Sequence, residues 1–209
     1  MVKSLARWTV KELVLKIEST KEAILFLEAL QKYVKKVDII ADYYPGKATI
    51  KLEGAKEHIQ DELELVKELH KTVKGIIYPD YEGFFDYDLT FLSKMMGKSF
   101  PVKLLEKILV LKGYETIRED RTLISKVDYE TFKNLLNELD RVLSNIPYEV
   151  STASLRNVLV IIALTKDLAI PEAIQLANEQ GIIREDDYQR LKLKIEPEQA
   201  IKKCLKITN

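Results

Sequence analysis

The residues with the clearest chemical potential form a short alternating run near the carboxyl end of the chain. In Arg190-Leu191-Lys192-Leu193-Lys194-Ile195 every second side chain is cationic, so a β-strand would place three positive charges on one face. Like charges at a spacing of about 6 to 7 Å repel each other, and nucleic-acid phosphates would neutralise them. We therefore predict a nucleic-acid-binding face that contains Arg190, Lys192 and Lys194.

Three further cations, Lys202, Lys203 and Lys206, follow on the predicted last helix and would extend this face. Each phosphate that they neutralise would steepen the salt dependence of binding by about 0.9 log units for duplex DNA or about 0.7 for single strands. The alternative is an edge strand that carries Lys and Arg as protection against aggregation. Both interpretations stay open from the sequence.

No combination of side chains indicates catalysis or a metal site. His58 and His70 lie twelve residues apart on one predicted helix, which separates them by about 120° around the helix axis and prevents easy sharing of a metal ion. No Ser lies in a Gly-x-Ser-x-Gly elbow, and the glycines are too isolated to form a phosphate-binding loop. Asp186 and Asp187 are expected to be solvated. We predict a non-enzymatic protein without a cofactor, with both histidines in surface or boundary positions.

Composition limits the partners and the compartment. The 209 residues include 33 basic and 33 acidic side chains, so charge-driven binding must come from a local patch. The single Cys204 suits a reducing compartment. Met1-Val2-Lys3-Ser4 begins no signal peptide, and no window approaches the roughly 20 apolar residues of a membrane span. We expect a cytoplasmic protein, and the 32% of charged residues favours a thermophilic source.

The elements that would position these residues begin with a strand over residues 10–17 and a β-hairpin over residues 37–54, both recognised by alternating apolar side chains. Within the hairpin, Tyr44-Pro45-Gly46-Lys47 fits a type II turn. Pro presets φ at the second position of such a turn, and Gly accepts the positive φ that the third position requires. The sequence therefore predicts a small sheet that is buried on one face.

Two helices complete this first region. A capping box, Ser19-x-x-Glu22, begins the first helix. The second follows the hairpin and is expected to end at a left-handed cap at Gly75, with Ile76-Ile77-Tyr78 as a candidate further strand. These elements predict a βαββα ferredoxin-like layer over residues 1–78.

For the rest of the chain we predict a diverged internal duplication. Each unit has a helix, a second helix begun by Pro, a hairpin with Arg-Glu-Asp and a helix with an acidic start, the order of a winged helix-turn-helix. The residues that recur at equivalent positions of the first and second unit are Pro101 and Pro171, Gly113 and Gly181, residues 118–120 and 184–186, and Asp128 and Glu196. We therefore predict an α+β protein in which residues 86–150 and 151–209 form two winged helix-turn-helix-like units.

The second helix of the C-terminal unit argues against sequence-specific DNA binding. Residues 171–180 carry Glu172, Gln175, Asn178 and Glu179 but no cation. A helix that reads a DNA groove between phosphates normally carries Arg or Lys. RNA or a ribonucleoprotein is therefore the favoured partner.

The motifs over residues 92–101, 111–114 and 173–181, together with the βαββα start, resemble an archaeal family catalogued as a domain of unknown function. These motifs are Leu92-Ser93-Lys94-Met95-Met96-Gly97-Lys98-Ser99-Phe100-Pro101, Leu111-Lys112-Gly113-Tyr114 and Ala173-Ile174-Gln175-Leu176-Ala177-Asn178-Glu179-Gln180-Gly181. The resemblance covers most of the chain. It implies an archaeal intracellular protein and assigns no catalytic residue.

Our leading functional prediction is a non-enzymatic nucleic-acid-binding protein, with RNA or a ribonucleoprotein favoured over an operator. The first alternative is a protein-interaction adaptor that docks another protein, or a second copy, through its helical units. The second alternative is a small-molecule sensor on the βαββα sheet. The sequence does not determine the oligomeric state.

Overall fold

The computed structural model describes residues 8–206, and within them eight helices and eight strands form a mixed α+β fold with small antiparallel sheets. Residues 1–7 and 207–209 lie outside the described residues. The start at Met1-Val2-Lys3-Ser4, where no signal peptide is predicted, and the outer ends of the first and last predicted domains fall there. Among the described residues, no helix is both long and apolar enough to cross a membrane.

The chain divides into two compact units. Among the described residues, the first contains residues 8–99 together with Glu119–Lys126, and the second contains Phe100–Arg118 together with residues 127–206. The three domains expected from the sequence stay a prediction.

The first unit begins with the predicted βαββα order, which is confirmed. Its elements are β1 (Trp8–Ile17), α1 (Thr20–Tyr33), β2 (Asp38–Tyr44), β3 (Gly46–Ala55) and α2 (Lys56–Ile77). Strand β3 lies between β1 and β2 and is antiparallel to both. The sheet has one buried face, because Ala48, Ile50 and Leu52 of β3 are almost completely inaccessible to solvent.

The turn between β2 and β3 is also confirmed. Tyr44 pairs with Lys47 across the two-residue connection. Gly46 has a φ of +92°, the left-handed conformation that a side chain would strain. The Pro-Gly pair therefore fixes the hairpin register by its backbone geometry.

Ser19 caps α1 as predicted, but Glu22 accepts from the Glu18 amide instead of the Ser19 amide of a capping box and belongs to a buried polar cluster. Ser19 Oγ accepts a hydrogen bond from the Glu22 amide at 3.2 Å, and the fully buried Glu22 carboxylate accepts one from the Glu18 amide at 2.7 Å. Tyr78 Oη lies 3.0 Å from this carboxylate, as does His70 Nε2. His70 has the predicted boundary position, with 13% of its side chain exposed, and it also contacts this buried acid.

The predicted end of α2 at Gly75 is wrong. The helix continues to Ile77, so residues 76 and 77 form no strand, and Ile76 is fully buried. Gly75 has a different role, because a Cβ at this position would lie 3.1 Å from Asp86 Cβ. The glycine permits a close approach between α2 and the strand that follows.

The remaining elements alternate helices with short strands. In chain order they are β4 (Phe85–Asp88), α3 (Leu89–Met96), α4 (Val102–Leu111), β5 (Thr116–Glu119), β6 (Thr122–Ser125), α5 (Tyr129–Ser144), α6 (Ala153–Lys166), α7 (Ile170–Glu179), β7 (Ile183–Glu185), β8 (Leu191–Leu193) and α8 (Pro197–Leu205). The strands form one sheet in the order β4-β6-β5 and a separate β7-β8 hairpin. The elements predicted for both repeats are therefore present in the predicted order.

The core of the second unit is built around α6. Every residue from Val158 to Leu164 is buried, as the uniformly apolar sequence predicts, and α6 contacts α4, α5, α7 and α8. Thr152 caps its first turn by accepting a hydrogen bond from the Leu155 amide at 3.2 Å. Helix α6 also packs against β8 of the hairpin that follows α7.

Candidate nucleic-acid interface

The predicted basic strand belongs to the β7-β8 hairpin. Ile183 pairs with Leu193, Arg184 with Lys192, and Glu185 with Leu191. Residues that oppose each other across antiparallel strands point to the same face, so Arg184 and Lys192 share one face of the hairpin. The leucines of β8 lie on the other face, and β8 contacts α6.

The structure places the three predicted strand cations close together but in different settings. Strand β8 comprises only residues 191–193, so Lys192 lies in the strand, Arg190 ends the preceding loop and Lys194 follows the strand. Arg190 and Lys194 are exposed, whereas Lys192 is half-buried. The alternation is retained, and Lys192 is the least exposed of the three cations, with 42% of its side chain accessible to solvent.

Asp186 explains the different setting of Lys192. Its carboxylate lies 2.8 Å from Lys192 Nζ and accepts hydrogen bonds from the amides of Tyr188 and Arg190, each at 3.0 Å. The Lys192 ammonium and these amides lower the pKa of Asp186 to about 2. Asp186 was expected to be solvated, and this expectation is wrong: its side chain is only 18% exposed and serves as the anchor of the loop.

The loop that Asp186 anchors presents an aromatic side chain. The Asp186 amide donates to the Arg190 carbonyl at 2.9 Å, and the Gln189 amide donates to the Asp186 carbonyl at 3.0 Å. Tyr188 at the top of this closed loop is 81% exposed, and the Arg190 guanidinium lies 6.0 Å from the centre of its ring. Such an arrangement allows a cation–π contact and leaves most of the ring available to a ligand.

A second exposed tyrosine comes from a distant part of the chain. The Leu191 amide donates to the Glu149 carbonyl at 2.7 Å, and Val150 forms a parallel bridge with Leu191. This pairing brings the segment that carries Tyr148, which is 83% exposed, alongside the segment that carries Tyr188. We call Tyr148, Arg184, Tyr188, Arg190 and Lys194 the hairpin surface.

The other three predicted cations lie on a different element. Lys202 and Lys203 are in the last turn of α8, and Lys206 is its C-cap residue in the left-handed conformation with a φ of +55°. All three are exposed. Cations at this end of a helix interact favourably with its unpaired carbonyl groups, so their positions have a sufficient structural explanation.

Two further reactive side chains lie outside the hairpin surface. His58 Nε2 lies 3.7 Å from the Glu57 carboxylate. Cys204 is buried, and burial raises the pKa of its thiol, which makes it a poor nucleophile. No group of His, Cys, Asp and Glu among these residues has the arrangement of a metal site.

Sequence reasoning missed three members of the hairpin surface. Arg184 was noted only as part of the repeated Arg-Glu-Asp, although its position opposite Lys192 follows from a correct hairpin register. Tyr148 and Tyr188 carry no local signal that separates them from the other tyrosines. The segments that carry them are joined by the bridge between Val150 and Leu191, which connects positions far apart in the chain.

Comparison with known proteins gives one positive result. A family model described as an uncharacterized protein conserved in archaea (DUF2067) matches residues 15–202. No curated protein matches the chain, and no solved structure matches it.

Proposed function

The chain belongs to this archaeal family, DUF2067, and for this member we propose a non-enzymatic role in binding single-stranded RNA, free or within a ribonucleoprotein. The hairpin surface is the binding site. Its tyrosines stack on unpaired bases, and its cations contact the phosphates. The cytoplasmic location expected from the sequence suits this role.

The observation that carries the proposal is the pair of tyrosines on neighbouring segments. Tyr148 and Tyr188 expose more than four fifths of their surface, although aromatic rings are usually buried in cores or interfaces. Proteins that bind single strands combine such rings with a positively charged groove, because every base offers a flat face for stacking. Arg190, next to the Tyr188 ring, supplies a cation at the same place.

The balance of charge favours stacking as the main source of affinity. Arg184, Arg190 and Lys194 are exposed, but Glu185 and Asp187 are exposed in the same hairpin. The neighbouring carboxylates reduce the electrostatic attraction of any phosphate. A duplex offers mainly phosphates and hides its base faces, so it gains little from this surface, whereas a single strand gains both kinds of interaction.

The proposal includes a finer interpretation of the fold. In each repeat a segment before the first helix pairs with the second strand of the hairpin: β4 with β6 as antiparallel strands, and Val150 with Leu191 of β8 through an isolated parallel bridge. The β4-β6 pairing supports a winged helix-turn-helix unit in the first repeat, and the order of elements supports one in the second, with the hairpin as the wing in each. For the N-terminal layer, the order β1-β3-β2 with two helices supports a ferredoxin-like arrangement that lacks a fourth strand among the described residues.

The first test measures fluorescence anisotropy of a labelled oligouridine RNA as the full chain is added. We expect binding at low salt that weakens from about 50 to 200 mM by close to two log units per log unit of salt if three phosphates are neutralised. The same sequence hybridised into a duplex should bind clearly less well. The absence of binding at low salt, or equal affinity for the duplex, would overturn the proposal.

The adaptor alternative predicts a different result in native cells. A protein that co-purifies with the chain and stays bound at high salt after nuclease treatment would favour the adaptor. Loss of all co-purifying material after nuclease treatment would favour RNA.

A further inference from the structure

Strand β1 is a long edge strand whose second edge is open in the described part of the chain. It pairs along all ten residues with β3, and no other strand within residues 8–206 joins it. An open edge of this length displays a row of unpaired backbone donors and acceptors that can template pairing with another strand. The position next to β1 is therefore available to a partner strand.

The side chains of β1 make this edge unusually apolar for a solvent-exposed strand. Trp8, Val10 and Val14 are 66%, 47% and 57% exposed, and alternation places them on the same face as Glu12 and Lys16. The opposite face becomes buried toward the end of the strand, where Ile17 is only 1% exposed. The exposed face thus carries three large apolar side chains and only two charges.

We propose that β1 pairs with β1 of a second copy of this chain, antiparallel and about a two-fold axis at Val14. An axis at Lys11 or at Glu12 would place identical charges opposite each other, and an axis at Leu15 would oppose Glu12 to Glu18. An axis at Leu13 opposes Glu12 to Val14 and Lys16 to Val10, so it forms no charge pair. The axis at Val14 sets Lys11 opposite Ile17, but it alone gives complementary charge pairs, with Glu12 opposite Lys16 of the second copy on both sides of the axis.

This register also matches apolar residues. Val14 faces Val14 of the second copy on the exposed face, and Leu13 faces Leu15 on the side of the helices. Lys16 is free to exchange partners, since its present interaction is a 3.1 Å ion pair with Glu18 and 78% of its side chain is exposed. The two sheets would join into one six-stranded sheet, and because the interface is the same patch on both copies, the assembly closes as a dimer.

The test exchanges the charges of Glu12 and Lys16. Analytical ultracentrifugation of the full chain over a range of concentrations measures whether each variant is a monomer or a dimer. The wild type should form a dimer. Glu12→Lys and Lys16→Glu each create two like-charged pairs and should weaken the dimer by tenfold or more. The double variant E12K/K16E restores opposite charges and should recover the dimer. It carries the same E12K substitution as the single variant, so any effect of that substitution within one chain is present in both.

A matched control lies on the other edge of the same sheet. Asp42 of β2 lies on the same exposed face, so Asp42→Lys makes a comparable change of charge away from the proposed interface and should leave the dimer intact. Circular dichroism of each variant checks the fold. A monomer at every concentration, a dimer that neither single variant weakens, a double variant that stays dissociated, or dissociation by D42K would each overturn the proposal.

Discussion

The two hairpins of the predicted repeat occupy the same place in the order of elements, and their charged side chains have different contacts. The β5-β6 hairpin turns through two residues, Asp120 and Arg121, with Asp120 in the left-handed conformation. The β7-β8 hairpin turns through a five-residue loop closed by Asp186. The longer loop creates the position for Tyr188, which has no equivalent in the shorter turn.

Both arginines of the first hairpin interact with other side chains of the same chain. Arg118 forms an ion pair with Glu106 at 3.2 Å, and Arg121 Nε donates to Thr90 Oγ1 at 3.1 Å. In the second hairpin only Lys192 is used in this way. Arg184 and Lys194 are exposed and have no ionic partner among residues 8–206. The comparison shows that the second hairpin differs from the first in two respects, a longer turn and exposed cations without an ionic partner among residues 8–206.

The largest expected effect comes from removing both tyrosines of the hairpin surface. Each base stacked on an aromatic ring contributes about 1–3 kcal/mol, so Tyr148→Ala with Tyr188→Ala should lower RNA affinity at least roughly 30-fold. Fluorescence anisotropy measures the change. Tyr81, which is 94% exposed elsewhere in the chain, provides the control, and Tyr81→Ala should leave the affinity nearly unchanged. Equal losses in both experiments would remove the distinction between the hairpin surface and any other exposed tyrosine.

A smaller effect is expected from the cations, and here the two hairpins can be compared directly. Arg190→Ser with Lys194→Ser should reduce the salt slope of RNA binding by about 0.7 for each phosphate that is no longer neutralised. Lys192→Ser should change the slope less, because Asp186 already neutralises this ammonium. Arg118→Ser in the first hairpin should leave the slope unchanged. If Arg118 and Arg190 proved equivalent, the assignment of different roles to the two hairpins would be wrong.

The smallest effect concerns the order of the second loop as a function of pH. The pKa of Asp186 is lowered in the folded protein from 3.8 to about 2, so its ionised form stabilises the loop above pH 3.8 and loses this effect as the pH falls toward 2. The amide resonances of Tyr188 and Arg190 should therefore shift with a midpoint near 2 in an NMR titration. Asp186→Asn should abolish this transition. A midpoint at the ordinary value of 3.8 would show that the Lys192 ion pair does not hold the loop.

Much of the fold follows from local patterns in the sequence. The turn at Pro45-Gly46, the N-cap at Ser19 and the order of elements in both predicted repeats depend on residues close together in the chain, and each is present. Gly75 was misinterpreted because a glycine near a helix end is usually a cap, whereas this one is required by the close approach of Asp86. That approach depends on tertiary packing and leaves no local pattern.

The candidate site was predictable only in part for the same reason. Alternation from Arg190 to Lys194 indicated a basic strand, and the structure retains that alternation around β8. The neutralisation of Lys192 requires knowledge of how the loop folds back on Asp186. The joining of Tyr148 to the hairpin depends on a bridge between residues 150 and 191. Non-local interactions of this kind decide which of several exposed charges and rings form one surface.

The most direct test of the account is photochemical crosslinking of the full chain to single-stranded RNA, followed by mass spectrometric identification of the modified peptides. The account predicts crosslinks at Tyr148 and Tyr188 and none in the first hairpin over residues 116–125. Crosslinks confined to the first hairpin, or an RNA complex with no crosslink between residues 148 and 194, would contradict it.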